Sequence, residues 1–177
     1  MVLAHSIFMV SLIVSSNMVI FDFNKESDIF DWKVVNDAVM GGKSSSKFYL
    51  NEDGHGIFKG TIFMENNGGF ASLRHRFKQK NIEGYKKIML HLKGDGKRYQ
   101  FRVKTNKEDQ QAYISYFQTT GEWQTIEITL SALEPTFRGR KLNMPNFLAE
   151  EFQEVGFMIG NKVNENFELV IDKIILE

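Results

Sequence analysis

The sequence predicts an all-β fold, an antiparallel β-sandwich or barrel. Its short runs alternate apolar and polar residues, as in Tyr99–Lys104, where Tyr99, Phe101 and Val103 oppose Gln100, Arg102 and Lys104. Turn-forming clusters such as Asn51-Glu52-Asp53-Gly54 and Lys93-Gly94-Asp95-Gly96 separate the runs, and connections this tight require antiparallel pairing. Sixteen Phe, five Tyr and two Trp in 177 residues suit pleated faces, and helical periodicity is almost absent.

Taken in order, Val19–Phe23 is a first strand and Asn24–Asp31 a polar turn region. Trp32–Val35 is a short apolar run leading into Val-Asn-Asp-Ala-Val-Met-Gly-Gly-Lys-Ser-Ser-Ser, Val35–Ser46. Two interior glycines and a serine run keep that stretch from being a helix, since each glycine costs about 1 kcal/mol and the hydroxyls compete for backbone groups. Phe48–Leu50, Ile57–Met64, Phe70–Phe77 and Tyr85–Leu92 read as strands, the last with Ile88, Leu90 and Leu92 on one face. Tyr99–Lys104, Tyr113–Phe117, Trp123–Leu130, Val155–Ile159 and Phe167–Leu176 complete ten or eleven strands. Ser131–Glu151 breaks the rhythm and holds both prolines, Pro135 and Pro145. A loop of this length is often functional, and Asn146–Phe152 is expected as a short helix with Pro145 in its first turn.

Composition narrows the chemistry. The 22 basic and 22 acidic residues cancel, which argues against nucleic acid as the main partner. With no cysteine there is no disulfide framework, thiol catalysis or cysteine-ligated metal. Residues 1–17 form an apolar extension, set apart from a single domain expected over 18–177. Ile7–Val14 followed by Ser15 and Ser16 is a weak signal-peptide pattern, with no Lys or Arg ahead of it. The competing reading is an upstream start with the domain beginning near Met18. The first implies export to the periplasm; the second, a cytoplasmic address, is the one favoured.

The sequence carries no recognisable catalytic signature. Gly42-Lys43-Ser44 ends like a phosphate-binding loop, but Asp37 stands where that motif needs glycine, and a strand follows instead of a helix. His5, His55, His75 and His91 show no ligand spacing. The expectation is a protein that is not an enzyme. What remains is a pattern of faces. Ser72, Arg74 and Arg76 share one side of their strand, Arg102 lies opposite Tyr99 and Phe101, Tyr113 and Phe117 share a side, and Trp123 falls on a polar side. If these belong to one sheet, it presents arginines beside aromatics, a mixture suited to a binding groove; the other reading is an ordinary solvated face. Gly41-Gly42 likewise has two readings, a turn whose backbone needs glycine, with Asn36 and Asp37 bonding local amides, or a ligand or partner loop.

Asn36-Asp37-Ala38-Val39-Met40-Gly41-Gly42-Lys43-Ser44 resembles the hallmark of the complex I intermediate-associated protein 30 family. Gly69–Arg74, Gly94-Asp95-Gly96 with Tyr99 and Phe101, Trp123 with Phe137-Arg138-Gly139, Gly156–Ile159 and Phe167-Glu168-Leu169 fit the same family in the same order. The resemblance covers about residues 18–177. It implies a galactose-binding-like jelly roll similar to carbohydrate-binding modules, and a chaperone role without catalysis in respiratory complex I assembly. The chain has no Arg-rich transit segment, and its Lys, Asn, Ile and Phe usage suits a stand-alone member from an AT-rich bacterial genome.

The expected contact surface is Asn36, Asp37, Met40, Gly41 and Gly42 together with Arg74, Arg102, Tyr113, Trp123, Arg138 and Arg140. The first function it suggests is protein–protein contact with respiratory complex subunits. The alternative is glycan binding, with Trp32, Tyr113, Phe117 and Trp123 as stacking platforms. No cofactor is required. A structural Ca²⁺, as in related jelly rolls, would draw on Asp22, Asp28 and Asp172.

Overall fold

The computed structural model describes residues 17–177. The apolar extension expected over 1–17 therefore lies, but for Asn17, outside the described residues. In chain order the strands are β1 (Met18–Asp22), β2 (Trp32–Asn36), β3 (Ser45–Leu50), β4 (Gly56–Ile62), β5 (Ala71–Asn81), β6 (Lys87–Lys93) and β7 (Arg98–Lys104). They continue with β8 (Ala112–Gln118), β9 (Trp123–Thr129), β10 (Glu134–Phe137), β11 (Arg140–Lys141), β12 (Glu151–Ile159) and β13 (Glu165–Leu176). Among the described residues helix is confined to three 3₁₀ turns, at Asp37–Met40, Glu65–Asn67 and Leu130–Ala132.

Two antiparallel sheets stack. The first has the order β3-β4-β13-β6-β9, with β1 also pairing with β13. The second runs β11-β10-β8-β7-β12-β5-β2. The alternating residues of both meet in one core. Ile88, Leu90 and Leu92 of β6 and Leu169, Ile171 and Ile174 of β13 face Leu73 of β5, Phe101 and Val103 of β7, and Phe157 of β12, all of them fully buried. Each such side chain contributes about 1.5–3 kcal/mol through removal from water.

The stretch Ser131–Glu151 departs from its expectation. It holds a small hairpin, β10–β11, and β10 pairs with β8 through Glu134↔Ile114, Pro135↔Tyr113 and Thr136↔Ala112. Asn146–Phe152 is not helical, and β12 begins at Glu151. The physical reason lies in Phe147, which is buried with its ring edge-on to Tyr113 at 5.2 Å. Its N–H donates to the Leu133 carbonyl. Core burial and a tertiary hydrogen bond hold this segment extended.

At one end of the core, Trp32 of β2 and His75 of β5 are direct cross-strand partners. Their rings stack at 4.7 Å and 11°. His75 is buried, and burial lowers its pKa against the opposing pull of Asp31, with Lys80 adding a small push in the same direction as burial. The neutral ring is therefore the folded form. Stability from this site is complete above the ordinary histidine value of 6.5 and declines as pH falls from there toward the depressed folded value. The melting temperature should accordingly drop between pH 7 and pH 5. The drop should shrink in His75→Phe, which keeps the ring stack but cannot take up a proton; an equal pH response in both proteins would refute this assignment.

Candidate functional site

The glycine-rich stretch after β2 is a crossover between the sheets, from β2 of the second to β3 of the first. Asp37 lies at its centre with no exposed surface. Its carboxylate accepts the backbone N–H of Ser44 at 2.9 Å, the Ser44 hydroxyl, and the N–H groups of Gly69 at 2.5 Å and Phe70 at 3.3 Å. Burial alone raises its pKa, but the Ser44 hydroxyl and the three backbone donors outweigh that, so the carboxyl titrates below its usual value. Gly42 and Gly68 flank it closely, and a Cβ at either would overlap the Asp37 side chain. Gly41 has φ +88°, a left-handed conformation that ends the 3₁₀ turn. Asn36 accepts from the Ser46 hydroxyl at 2.5 Å. The motif thus ties β2, β3 and the start of β5 together, and among its residues Met40 is well exposed.

The outward face of the second sheet is a broad polar surface. Strand pairing places Lys33, Arg74, Gly156, Arg102, Ile114 and Glu134 in one row across β2, β5, β12, β7, β8 and β10. The adjacent row is Val35, Ser72, Met158, Gln100 and Tyr116, and on the other side stand Arg76, Glu154 and Lys104. These residues alternate with the buried Leu73, Phe101, Val103, Val155 and Phe157, so they point away from the core.

Hydrogen bonds fix the face. Arg102 Nη1 donates to Gln100 Oε1 at 2.7 Å and approaches Met158 Sδ at 3.4 Å. Gln100 Nε2 donates to the Tyr116 hydroxyl at 3.2 Å, and Arg74 Nε to Ser72 Oγ at 3.4 Å. The Glu154 carboxylate is taken by Arg76 at 2.7 Å. Burial, then repulsion from Arg74, lowers the Arg102 pKa to about 10 despite the opposing influence of Glu154 and Tyr116. Lys104 is lowered as well, chiefly by burial.

Arg74 and Arg102 therefore share one face, as their strand positions suggested. Tyr113, Trp123, Arg138 and Arg140 do not join them, and neither do Trp32 and Phe117, the further stacking platforms of the glycan reading. Tyr113 lies on the inner side of β8 against Phe147, and Phe117 is buried in the core with its ring stacked 5.9 Å from Tyr99. Their shared side is the core side, because their partners Val103 and Tyr99 point inward. Trp32 is buried too. Trp123 belongs to β9, an edge strand of the opposite sheet, and packs between His55 at 4.8 Å and His91 at 5.1 Å. Arg138 and Arg140 belong to the β10–β11 hairpin, at the far edge of the second sheet from β2 and the glycine-rich crossover. Strand order, which separates segments adjacent in pattern, is what divides the expected single surface. The aromatics at the arginine face are Tyr116, with Arg98 4.7 Å from its ring centroid, and the exposed Phe30, whose ring centroid lies 4.1 Å from Lys33 Nζ.

Of the aspartates expected to hold Ca²⁺, Asp22 ends β1 opposite Lys173 of β13. Asp28 caps the Phe30 N–H at 2.8 Å, while Asp172 lies 2.7 Å from His91 Nδ1 and 3.6 Å from His55 Nε2. Among the described residues no group of three or more His, Cys, Asp or Glu side chains gathers to hold a metal.

Sequence reasoning missed Gln100, Glu154, Gly156, Met158 and Tyr116. A signal existed for Gly156 and Met158, which are two apart in a strand and so share a face. Their placement between β5 and β7, with Gly156 between Arg74 and Arg102, needed the pairing order.

Comparisons with known proteins fit this architecture. A family 11 carbohydrate-binding module from Clostridium thermocellum, solved with a β-1,3-1,4-mixed-linked tetrasaccharide, superposes with a TM-score of 0.65 at 18% identity, covering 90% of this chain and 94% of that one. A family 29 carbohydrate-binding module, in a single-substitution variant, superposes with a TM-score of 0.54 at 13% identity and covers 92% of each chain. These likenesses establish the jelly-roll fold. In sequence, an uncharacterised protein of Schizosaccharomyces pombe, C9E9.15, is 28% identical over 167 residues, covering 81% of this chain and 76% of that protein. The mitochondrial complex I intermediate-associated protein 30 of Mus musculus is 22% identical over 186 residues, covering 92% of this chain; the chain spans 57% of the mouse protein. The model of the complex I intermediate-associated protein 30 family matches residues 21–171. With that match over most of its length, the chain belongs to the complex I intermediate-associated protein 30 family.

Proposed function

We propose that this protein is a non-enzymatic binding module that works by protein–protein contact, in the manner its family name suggests, and that the outward face of the second sheet is the contact surface. The observation that carries this reading is the composition of that face. It offers forked donors and a cationic band, with Tyr116 and Phe30 as its exposed aromatics and a cation already over each ring. Neutral sugars are held largely by aromatic planes that stack on their apolar faces, and this face provides little of that. Protein interfaces are in contrast enriched in arginine, tyrosine and methionine, which Arg74, Arg102, Tyr116 and Met158 supply.

The glycan reading keeps one supporting observation, the fold shared with two carbohydrate-binding modules, and a shared fold hosts many functions. The test is gentle affinity purification of the tagged full chain, quantified for subunits of membrane respiratory complexes, beside a glycan array. Respiratory-complex subunits should co-purify with the wild type and be depleted when Met158→Glu and Tyr116→Ala alter the face. A specific sugar ligand with no co-purifying protein would overturn the proposal.

A further inference from the structure

The face contains an unbalanced charge. Arg74 and Arg102 flank Gly156 from either side on the same row. Strand spacing puts their Cα atoms about 10 Å apart. Among the described residues neither has a carboxylate partner: Arg102 is bonded to Gln100 and Met158, and Arg74 to Ser72. The nearby carboxylate, Glu154, is already held by Arg76. Lys33 extends the row beyond Arg74, and Lys104 stands beside Glu154. A chain of zero net charge thus concentrates cations on one sheet face. Two like charges held together, both of them half-buried, oppose folding unless something on the surface offsets them.

Resting on the reading of this face as a protein-contact surface, we infer that Arg74 and Arg102 form a clamp for a carboxylate of an acidic protein segment. The group lies over Gly156, which places no side chain between the two arginines. Each guanidinium has free N–H donors beyond its neutral partner, and a carboxylate accepts a fork from either side. Its charge offsets the mutual repulsion that, after burial, holds the Arg102 pKa down. Lys33 and Lys104 attract further acidic residues flanking the clamped one. An anionic polysaccharide also carries carboxylates, but its sugar rings would need stacking planes, and the exposed Tyr116 and Phe30 rings each already carry a cation over one face. The acidic segment is therefore the favoured occupant.

The full chain can be titrated with a capped hexa-aspartate peptide, a hexa-asparagine control and an oligogalacturonate. The aspartate peptide should bind at least about tenfold more tightly than the control, with affinity falling as salt rises. Arg74→Gln/Arg102→Gln should weaken it at least about tenfold, since charge-assisted forks supply most of the contact. Thermal unfolding of the same variant should be unchanged or shifted upward, because it removes two half-buried like charges; if the double variant does not fold, Arg102→Gln alone should lose at least about threefold. Undiminished peptide binding in the double variant, no peptide binding by the wild type, or tighter binding of oligogalacturonate would each overturn the clamp. The two proposals fail separately. Respiratory-complex subunits captured equally by the wild type and the double variant refute the clamp and leave the protein-contact module standing.

Discussion

Asp37→Asn is expected to destabilise the protein by about 3–5 kcal/mol, the range for breaking a buried, multiply bonded charged group. At this chain length that lowers the melting temperature by about 8–15 °C. The carboxylate receives the Ser44 hydroxyl and N–H, and the N–H groups of Gly69 and Phe70. An amide of the same shape offers one acceptor oxygen and turns an NH₂ toward groups that are themselves donors. Because Gly42 and Gly68 press against the side chain, it has little room to turn away. The substitution also removes an acid-dependent contribution. In the wild type the Asp37 pKa is depressed, so its stabilisation is complete above the ordinary value of 3.8 and is lost as pH falls through the folded value. Thermal unfolding at pH 7 and at pH 3 should show the wild type and Asp37→Asn converging in acid. A loss below about 1 kcal/mol at pH 7, the size of one ordinary hydrogen bond, would refute the assignment of Asp37 as the clasp between β2, β3 and β5.

Gly156→Ala is the second large effect. Gly156 lies mid-strand in β12, between β5 and β7, and a Cβ there would overlap the Leu73 carbonyl of β5. The obstacle is backbone within a ladder, which cannot rotate aside. The expected cost is about 2–3 kcal/mol, at the upper end for overpacking, and Gly156→Val should cost more. Gly84 provides the control, with φ +88° and open space around its Cα. Gly84→Ala should therefore cost about 1 kcal/mol, from backbone conformation alone. Urea denaturation separates the two, since midpoints should shift with unchanged slopes. Equal losses at both positions would show that the crowding at Gly156 is relieved by sheet adjustment.

Much of the fold is legible in the sequence because alternation is a local property. Ile88, Leu90 and Leu92, and Tyr99, Phe101 and Val103, are buried as their spacing requires. Where local pattern ends, legibility ends with it. Tyr113 and Phe117 have the same two-residue logic as Arg74 and Arg76, yet one pair faces the core and the other solvent, and only neighbouring strands decide which. Phe147 is held extended by Tyr113 and the Leu133 carbonyl, partners distant in sequence. The glycine-rich motif is visible as a signature, and its physical cause is not. Asp37 is bound by Gly69 and Phe70 more than thirty residues away. The arginine face is legible in its two central members. Its remaining parts depend on β12 lying between β5 and β7, an order no spacing rule supplies.

The placement of β13 bears on how the chain is made. This twelve-residue strand pairs with β4, with β6 and with β1, and of the described strands it leaves the ribosome last. Until it emerges, the β3–β4 hairpin, the β6–β9 pair and β1 have no common neighbour, and their edges stay unpaired. Closure is then a late, long-range event, which slows folding and leaves those edges open to other chains in the interval. A chain interrupted during synthesis before Glu165 would carry two half-sheets with nothing to join them.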